Sequence, residues 1–361
     1  MLNNNNDDNN SQKMTKFMRN FEGNAERLKK YSELLLLGNE ASPVSYMNRE
    51  GLRRICITLT TKCNLECVWC HRNETRFNNY LEKEMPFEMF QSIIQGLKDF
   101  KWLHIGGLGE PLMYKNIFQA IKEARQSIPN VKITTNNTLL TKGNCNKLVD
   151  SGLTYLEASI DGFDNITNKK MRGVSEDKLI ENLHYLSDNS NLPIQINIVI
   201  SNVNYESLFE AVDRLKDVRN IVLLHTIPLF MTKHMQGLGI GEITAEQHSA
   251  LLLHWKNRIS ALNLKMNVWP DIYETQLDPV ITMKRRHNQC FTVYEDPFIN
   301  VFGYLSPCGR LQEMCLDNVL ELGFDGAWNG PKMLSWRKQQ LRGNYTKLCE
   351  LECHMRNTCK V

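Results

Sequence analysis

The strongest constraint in this sequence is a repeated alternation of short apolar, β-branched runs with amphipathic stretches of helical length. The apolar runs lie at residues 55–59, 102–105, 131–135, 155–160, 194–200 and 221–226. The helical stretches between them lie at 87–100, 116–127, 142–151, 176–189 and 205–216. Strands separated by helices are joined by right-handed crossovers and form a parallel sheet. Six such units predict an incomplete barrel or an open doubly wound sheet, and both place ligands at the carboxyl ends of the strands.

Chain-wide properties argue against several classes of function. Forty-three basic residues oppose 40 acidic ones, and this net charge of +3 gives no support for a nucleic-acid partner. No run approaches the roughly 18 apolar residues that span a bilayer. The Asn/Asp-rich start, MLNNNNDDNNSQK, lacks the apolar segment of a signal peptide and predicts a disordered tail. We therefore expect a cytoplasmic protein with neither a membrane nor a nucleic-acid partner.

The cysteines indicate metal or redox chemistry. Eleven cysteines in a chain from a reducing compartment favour thiolate ligands over a disulfide framework. Three of them, Cys63, Cys67 and Cys70, lie in the segment TKCNLECVWCHRN shortly after the first predicted strand. The second half of that segment also fits the C-x-x-C-H pattern of covalent haem attachment, which the absence of an export signal disfavours.

The spacing C-x3-C-x2-C puts three thiolates on a single loop. A cubane iron–sulfur cluster normally takes four thiolates, so three would leave one iron open, as in a catalytic site. A zinc knuckle is the structural alternative. It needs a fourth ligand, and His71 adjoins Cys70 and is poorly placed to provide one. We therefore expect an open cluster at the carboxyl end of the first strand.

This cysteine spacing, with the aromatic Trp69 just before the last cysteine, resembles the signature of the radical SAM superfamily. The resemblance implies a partial (β/α)6 barrel and a catalytic 4Fe-4S cluster held by Cys63, Cys67 and Cys70. It also implies that the open iron binds S-adenosylmethionine, which is cleaved reductively to a 5′-deoxyadenosyl radical. An electron donor such as flavodoxin or ferredoxin would be the partner.

Further residues match positions at which this family binds S-adenosylmethionine. The segment Gly107-Leu108-Gly109-Glu110-Pro111 resembles the G-x-G-E-P motif, whose backbone binds the methionine amino group. The resemblance places Ser159 and Asp161 near the ribose and Arg172 against the methionine carboxylate, which suits a guanidinium. For each of these, a polar loop residue satisfied locally is the structural alternative. The candidate cofactor-binding residues are Gly107, Gly109, Glu110, Asn136, Ser159, Asp161 and Arg172.

The last part of the chain resembles a SPASM or twitch module, an appendage that binds auxiliary clusters in many radical SAM enzymes. Six of the eleven cysteines fall in the last 72 residues, and the spacings Gly303-x4-Cys308 and Cys349-x3-Cys353-x5-Cys359 match the module. Six thiols cannot supply eight ligands, so we expect one auxiliary 4Fe-4S cluster. The resemblance makes Cys290, Cys308, Cys349 and Cys353 its ligands, with Cys359 able to replace one of the closing pair. A zinc ribbon is the structural alternative.

These observations predict three regions. Residues 1–50 form an N-terminal tail and helix, 51–270 a radical SAM partial barrel, and 271–361 a SPASM/twitch domain. The resemblance implies an oxidoreductase that abstracts a substrate hydrogen and uses the auxiliary cluster as electron acceptor.

The substrate is predicted only by analogy. The cysteine spacing resembles that of twitch-type aminocyclitol dehydrogenases and favours a small polyol or sugar in natural-product biosynthesis. Maturation of a ribosomal peptide by cross-linking or epimerisation is the alternative, and for epimerisation Cys145 and Cys315 are candidate thiol donors. A non-enzymatic electron-transfer protein would need four thiolates at the first site.

Overall fold

The computed structural model describes residues 54–229, 231–269 and 297–341, together with Cys349. The predicted N-terminal tail and helix lie outside these residues. So do Cys290, Cys353 and Cys359, three of the predicted auxiliary ligands.

One sheet runs through all three described ranges. Its strand order is β7-β6-β5-β4-β3-β2-β1-β8-β9, and every described pairing is parallel except that of β8 with β9. The strands are β1 Arg54–Ile57, β2 Trp102–Ile105, β3 Asn130–Thr135, β4 Tyr155–Ser159, β5 Ile194–Ile200, β6 Ile221–Pro228, β7 Asn267–Trp269, β8 Phe298–Ile299 and β9 Leu305–Ser306. The first seven strands follow chain order without reversal, so the sheet lacks the switch point of a doubly wound fold. This order confirms the partial-barrel prediction and adds a seventh strand.

Helices connect these strands and follow the last hairpin. They are α1 Phe87–Gln95, α2 Ile117–Arg125, α3 Lys142–Asp150, α4 Asn165–Arg172, α5 Glu176–Asn189, α6 Ala211–Leu215, α7 Ala245–Ala261, α8 Val319–Trp328 and α9 Pro331–Leu341. Among the described residues, no helix combines the length and apolar character needed to cross a membrane.

The two faces of the barrel sheet differ in polarity. Leu103, Ile133, Leu156 and Ile196 point to one face, are fully buried, and share a hydrophobic core with the helices. The alternate positions of these strands carry many polar side chains. Parallel strands packed between two helical layers usually read as continuous apolar runs. Alternation therefore indicates that one face packs under helices while the other lines an interior, which we call the barrel interior.

The C-terminal hairpin belongs to the same sheet as the barrel. Strand β8 pairs with β1 in parallel, with Cys56 opposite Phe298 and Ile57 opposite Ile299. The sequence predicts a SPASM/twitch domain over residues 271–361, and it does not reveal this pairing, because contacts between distant strands cannot be read from local pattern. An unpaired edge strand exposes its backbone N–H and C=O groups, and β8 supplies hydrogen-bond partners for those groups of β1.

The described core can be tested at β4. Leu156→Ala should lower the free energy of unfolding by about 2–5 kcal/mol, because a fully buried side chain would leave a cavity. Leu253→Ala, at a position 55% exposed on α7, is the matched control and should change it by less than about 0.5 kcal/mol. Urea denaturation measures both variants, and equal losses would contradict the assigned core.

Candidate active site

The three predicted cluster ligands lie on the loop after β1, at the carboxyl edge of the sheet. Cys67 is buried, whereas Cys63 and Cys70 are half-buried, and the Cys70 amide donates to the Cys67 carbonyl at 3.0 Å. Burial raises the pKa of Cys67, and it raises that of Cys70 to about 12. Within the described residues, no three metal-ligating side chains are gathered around one point. The three thiols therefore share one loop but do not surround a common point.

The chemistry of this donor set fits an iron–sulfur cluster. Three soft thiols on one loop are suitable ligands for iron, and metal binding would offset the cost that burial places on the thiolates. Arg172, a buried cation, lowers the pKa of Cys67 and so partly counteracts burial. The eight described cysteines are all free thiols.

The Gly-rich segment after β2 packs directly against the cysteine loop. The Glu110 amide donates to the Lys62 carbonyl at 2.7 Å. A Cβ atom at Gly109 would lie 2.2 Å from the Thr60 carbonyl oxygen, and Gly107 has a φ of +139°, which L side chains rarely adopt. The glycines therefore allow two backbones to meet, and they position the G-x-G-E-P segment beside the cysteines.

The Glu110 side chain joins this segment to the end of β3. Its carboxylate accepts hydrogen bonds from the amides of Leu112 (3.0 Å) and Asn136 (2.7 Å) and from the Thr135 hydroxyl (2.8 Å). Burial raises the pKa of Glu110, although these hydrogen bonds act in the opposite direction. The side chain acts as a brace between loops, so contact with a cofactor at this segment would come from its backbone.

Asn136 connects the end of β3 to the first cysteine. Its side-chain nitrogen donates to Asn64 Oδ1 at 2.8 Å and lies 3.9 Å from Cys63 Sγ. Its oxygen accepts from the backbone amide and hydroxyl of Thr138. The amide is thereby fixed with its donor side toward the thiol. Asn136 was predicted as a cofactor contact, and the structure places it next to Cys63.

Arg172 and Asp161 form a buried ion pair behind the cysteine loop. Arg172 Nη1 lies 2.6 Å from Asp161 Oδ2, and the side chains are 4% and 0% exposed. The same carboxylate accepts from Trp69 Nε1 at 2.9 Å and from the Val199 amide at 2.7 Å. Asp161 is thus fully enclosed by these internal partners, whereas the Nε of Arg172 has no hydrogen-bond partner among the described residues.

Helix α4 places Arg172 at this position. The helix begins after Asp164, whose side chain accepts from the Thr167 amide at 2.7 Å, and Gly173 ends it with a φ of 80°. The Met171 carbonyl, one of the last in the helix, accepts from the Val68 amide at 3.1 Å. The end of α4 therefore holds both the arginine and the cysteine loop. This short, Asn- and Lys-rich segment did not predict a helix.

A segment after β6 contacts the cysteine loop from another side. His234 Nε2 lies 3.2 Å from the Val68 carbonyl oxygen. Trp69 packs against a small apolar cluster that includes Val199, Leu229 and Met235. The aromatic residue before Cys70 therefore joins apolar packing to the Asp161 carboxylate, a role that the sequence motif alone did not reveal.

The C-terminal hairpin brings the turn after Cys308 next to the residues that flank the cysteine loop. The Gln312 side chain, 2% exposed, lies 3.2 Å from the Thr58 hydroxyl at the end of β1. Arg76, which follows the cysteine loop, donates to the Arg310 carbonyl at 2.8 Å and pairs with Glu313 at 2.5 Å. These contacts fix the turn after Cys308 against the barrel.

The described cysteines outside the catalytic loop have different environments. Cys308 and Cys349 are half-buried and pack against the main core, as ligands of an enclosed site could. Cys315 is exposed, and the side-chain nitrogen of Asn300, Nδ2, lies 3.4 Å from its sulfur. Cys145 lies on the buried face of α3, and burial raises its pKa to about 11. Its position in the core argues against its predicted role as a thiol donor to substrate.

Ser159 ends β4 and is half-buried. The β-sheet register places it opposite Asn197 of β5, on the polar face of the sheet. The polar side chains that extend this face deeper into the barrel interior were not predicted as site residues. Their signal was present, because β3, β4 and β5 read NVKITT, YLEAS and IQINIVI, with polar residues at alternate positions.

The close approach of the two loops predicts a specific effect of an added methyl group. Gly109→Ala should reduce cluster incorporation and cost about 1–3 kcal/mol, because the new Cβ meets the backbone oxygens of Thr60 and Lys62. Gly143→Ala on α3 is the control, since a Cβ there has no neighbour within 4 Å. Iron content after anaerobic reconstitution measures the difference. Equal iron in both variants would contradict the proposed packing constraint.

The buried ion pair predicts a large effect of neutralising one partner. Asp161→Asn should destabilise the protein by about 3–5 kcal/mol, because the Arg172 charge would remain buried without its counter-charge. Asp213→Asn breaks the partly exposed pair with Arg258 and should change stability by about 1 kcal/mol at most. The urea midpoints of the two variants test this. A midpoint for Asp161→Asn as high as that of the control would show that the pair is not structurally important.

Comparison with known proteins identifies two domains. Residues 57–228 match the family model of the radical SAM superfamily, and residues 290–354 match that of the SPASM iron–sulfur cluster-binding domain. These domains imply 4Fe-4S clusters and S-adenosylmethionine as cofactors.

Curated relatives match about half of the chain. A probable GTP 3′,8-cyclase of Methanocaldococcus jannaschii is 29% identical over 183 residues, which are 49% of this chain and 60% of that protein. A probable GTP 3′,8-cyclase of Saccharolobus solfataricus is 27% identical over 204 residues, 55% of this chain and 62% of that protein. The chain therefore spans about three fifths of the length of the curated relatives that it matches.

Solved structures share the fold over most of the chain. SuiB of Streptococcus suis bound to S-adenosylmethionine has a TM-score of 0.63 and 20% identity, covering 85% of this chain and 72% of that one. The native protein anSMEcpe with bound AdoMet has a TM-score of 0.61 and 14% identity, covering 84% and 89%. The radical SAM model matches the region that holds the cysteine loop, and the SPASM model matches the region that holds the C-terminal hairpin. This chain therefore belongs to the radical SAM superfamily and carries a SPASM domain.

Proposed function

We propose that this protein is an oxidoreductase that uses S-adenosylmethionine to abstract hydrogen from a substrate carbon. The observation that carries the proposal is the contact between the cysteine loop and the Gly107–Glu110 segment at the carboxyl edge of the sheet. When bound, the clusters and S-adenosylmethionine would supply electron transfer and the 5′-deoxyadenosyl radical. The chain supplies ligands, orientation and exclusion of side reactions.

The residues fall into three groups by the cofactor that they would hold. Cys63, Cys67 and Cys70 would bind the catalytic cluster. Cys290, Cys308, Cys349 and Cys353 would bind the auxiliary cluster, with Cys359 as the alternative to one of the last two. The backbones at Gly107, Gly109 and Glu110, together with Asn136, Ser159, Asp161 and Arg172, would surround S-adenosylmethionine.

Within the last group, the structure supports different tasks for different residues. Arg172 would bind the methionine carboxylate, because its guanidinium has five donors and Asp161 occupies only part of them. Asp161 would act as a positioning residue that orients Arg172 and Trp69. Ser159, half-buried on the polar face, would be available for the ribose hydroxyls.

Two substrate classes are compatible with this site. Dehydrogenation of a small polyol or sugar-type molecule in natural-product biosynthesis is favoured by the resemblance of the tail's cysteine spacing to that of twitch-type aminocyclitol dehydrogenases. The electron for S-adenosylmethionine cleavage would come from flavodoxin or ferredoxin in the cytoplasm, with no nucleic-acid or membrane partner.

Modification of a peptide is the second candidate. SuiB bound to its precursor peptide SuiA overlays this chain with a TM-score of 0.65 at 19% identity, covering 87% of this chain and 72% of that one. This shared fold supports cross-linking or another peptide modification as the alternative. Epimerisation would need a hydrogen donor near the substrate. Of the two predicted thiol donors, Cys145 is buried, which leaves the exposed Cys315 as the candidate.

Cleavage of S-adenosylmethionine tests the proposal directly. Anaerobically reconstituted protein with dithionite should form 5′-deoxyadenosine and bind roughly eight irons per chain, as expected for two cubanes. Cys67→Ala should abolish cleavage and lose roughly four of those irons, because one catalytic ligand is gone. The remaining cluster should keep its electron paramagnetic resonance signal.

Cys145→Ala is the matched control, since that thiol lies in the core away from the loop. It should retain cleavage and both clusters. Wild-type protein that holds its clusters but never cleaves S-adenosylmethionine would refute the proposed function.

A further inference from the structure

A row of polar side chains crosses the barrel interior below the predicted cofactor position. The side chains belong to neighbouring strands and share the polar face: His104, Lys132, Thr134, Glu157, Asn197 and His225. The register places Thr134 opposite Glu157 and Asn197 opposite His225. None of these residues belongs to the cysteine loop or the predicted S-adenosylmethionine contacts.

An ion pair lies at the centre of the row. Lys132 Nζ pairs with Glu157 Oε1, and the Thr134 hydroxyl donates to Glu157 Oε2 at 2.5 Å. The Asn197 amide nitrogen lies 3.4 Å from the same oxygen, and His104 Nε2 lies 2.7 Å from Thr134 Oγ1. Glu157 is therefore surrounded by donors on both oxygens.

The centre of the row carries charge. Burial alone would raise the pKa of Glu157, but Lys132 and His104 hold it well below its usual range, so the carboxylate stays ionised. Burial lowers the pKa of His225 to about 4, which leaves that imidazole neutral at physiological pH. One anion and one cation thus face each other at the centre of the row.

This pair is costly if its role is only structural. Removing two charges from water is expensive, and barrel interiors are usually filled with branched aliphatic side chains. The side chains of the pair, Lys132 and Glu157, are 12% and 7% exposed, and the neighbouring His104 side chain is 23% exposed, so the pair is not fully sealed off. Among the described residues, Glu157 is the sole hydrogen-bond partner of the Lys132 ammonium, which has three donors.

The position suits a group of the substrate rather than of the cofactor. Glu157 precedes Ser159 by two residues on β4, which places it about 7 Å deeper in the barrel at 3.3 Å per residue. A molecule that reaches the row would extend below the ribose position predicted at Ser159.

We propose that the Lys132–Glu157 pair, with Thr134 and Asn197, is a substrate subsite that binds a hydroxyl group. An anionic group would meet Glu157, a cationic group would meet Lys132, and an apolar group would leave both charges without water. A hydroxyl can donate to the carboxylate and accept from the ammonium at once. This inference rests on the proposed function and names the substrate chemistry of the same site.

The hydroxyl could come from a small polyol or from a serine or threonine side chain of a peptide. Deuterium transfer distinguishes these sources, because a carbon held near the radical position passes its deuterium to 5′-deoxyadenosine. The probes are perdeuterated myo-inositol and the tripeptide Gly-Ser-Gly with deuterated serine. The same tripeptide with deuterated alanine is the matched control, since it lacks only the hydroxyl.

The measured quantity is the fraction of 5′-deoxyadenosine that carries deuterium, determined by mass spectrometry on the reconstituted full chain. We expect at least one hydroxyl-bearing probe to label the product and the alanine peptide to label it at least tenfold less. Label from inositol alone assigns the subsite to a polyol, and label from the serine peptide assigns it to a peptide.

Variants test whether the named residues form the subsite. Lys132→Met combined with Glu157→Gln removes both charges without leaving one unpaired, and Thr134→Val removes a single hydroxyl. Both should lower the labelled fraction at least tenfold. Asp213→Asn, on the surface pair with Arg258, is the control and should keep the wild-type fraction.

Two results would overturn the inference while the proposed function stands. One is 5′-deoxyadenosine formed without label from either hydroxyl-bearing probe. The other is a labelled fraction in the two interior variants equal to that of the Asp213→Asn control. Failure of the wild type to form 5′-deoxyadenosine at all would instead refute the proposed function.

Discussion

The close contact between two backbones at the carboxyl edge is the constraint on which the candidate site depends. Gly109 lies so near the Thr60 and Lys62 carbonyls that no side chain fits, and the Glu110 amide joins the loops with a hydrogen bond. The Glu110 carboxylate then carries the connection to β3. The cysteine loop is therefore held in place by the backbone of the Gly107–Glu110 segment.

The opposite side of the loop is held by charge and aromatic packing. Asp161 joins β4, β5 and α4 through its contacts with the Val199 amide, Trp69 and Arg172. A buried carboxylate is tolerable only with such partners. These contacts make the arginine and the tryptophan parts of one rigid unit, so that a cofactor would meet a preorganised surface.

Much of the fold could be predicted from the sequence, because strand and helix periodicities are local. All six predicted strands are present, and β2 and β5 have the predicted bounds. The seventh strand, Asn267–Trp269, is too short to give a clear pattern, and pairing of β8 with β1 joins residues more than 240 positions apart, a separation that local pattern cannot bridge. In the site, the cysteine spacing predicts the cysteine loop as the cluster site, whereas the partners of Asp161 and the interior row depend on contacts between strands.

The pairing of β8 with β1 has a consequence for how such proteins are built. A domain attached by a linker can be exchanged or lost without harm to its neighbour. Here the SPASM region contributes a strand to the barrel sheet, so its loss would leave β1 as an open edge prone to association with other chains. Barrel and appendage are thus joined by backbone hydrogen bonds as well as by the chain itself.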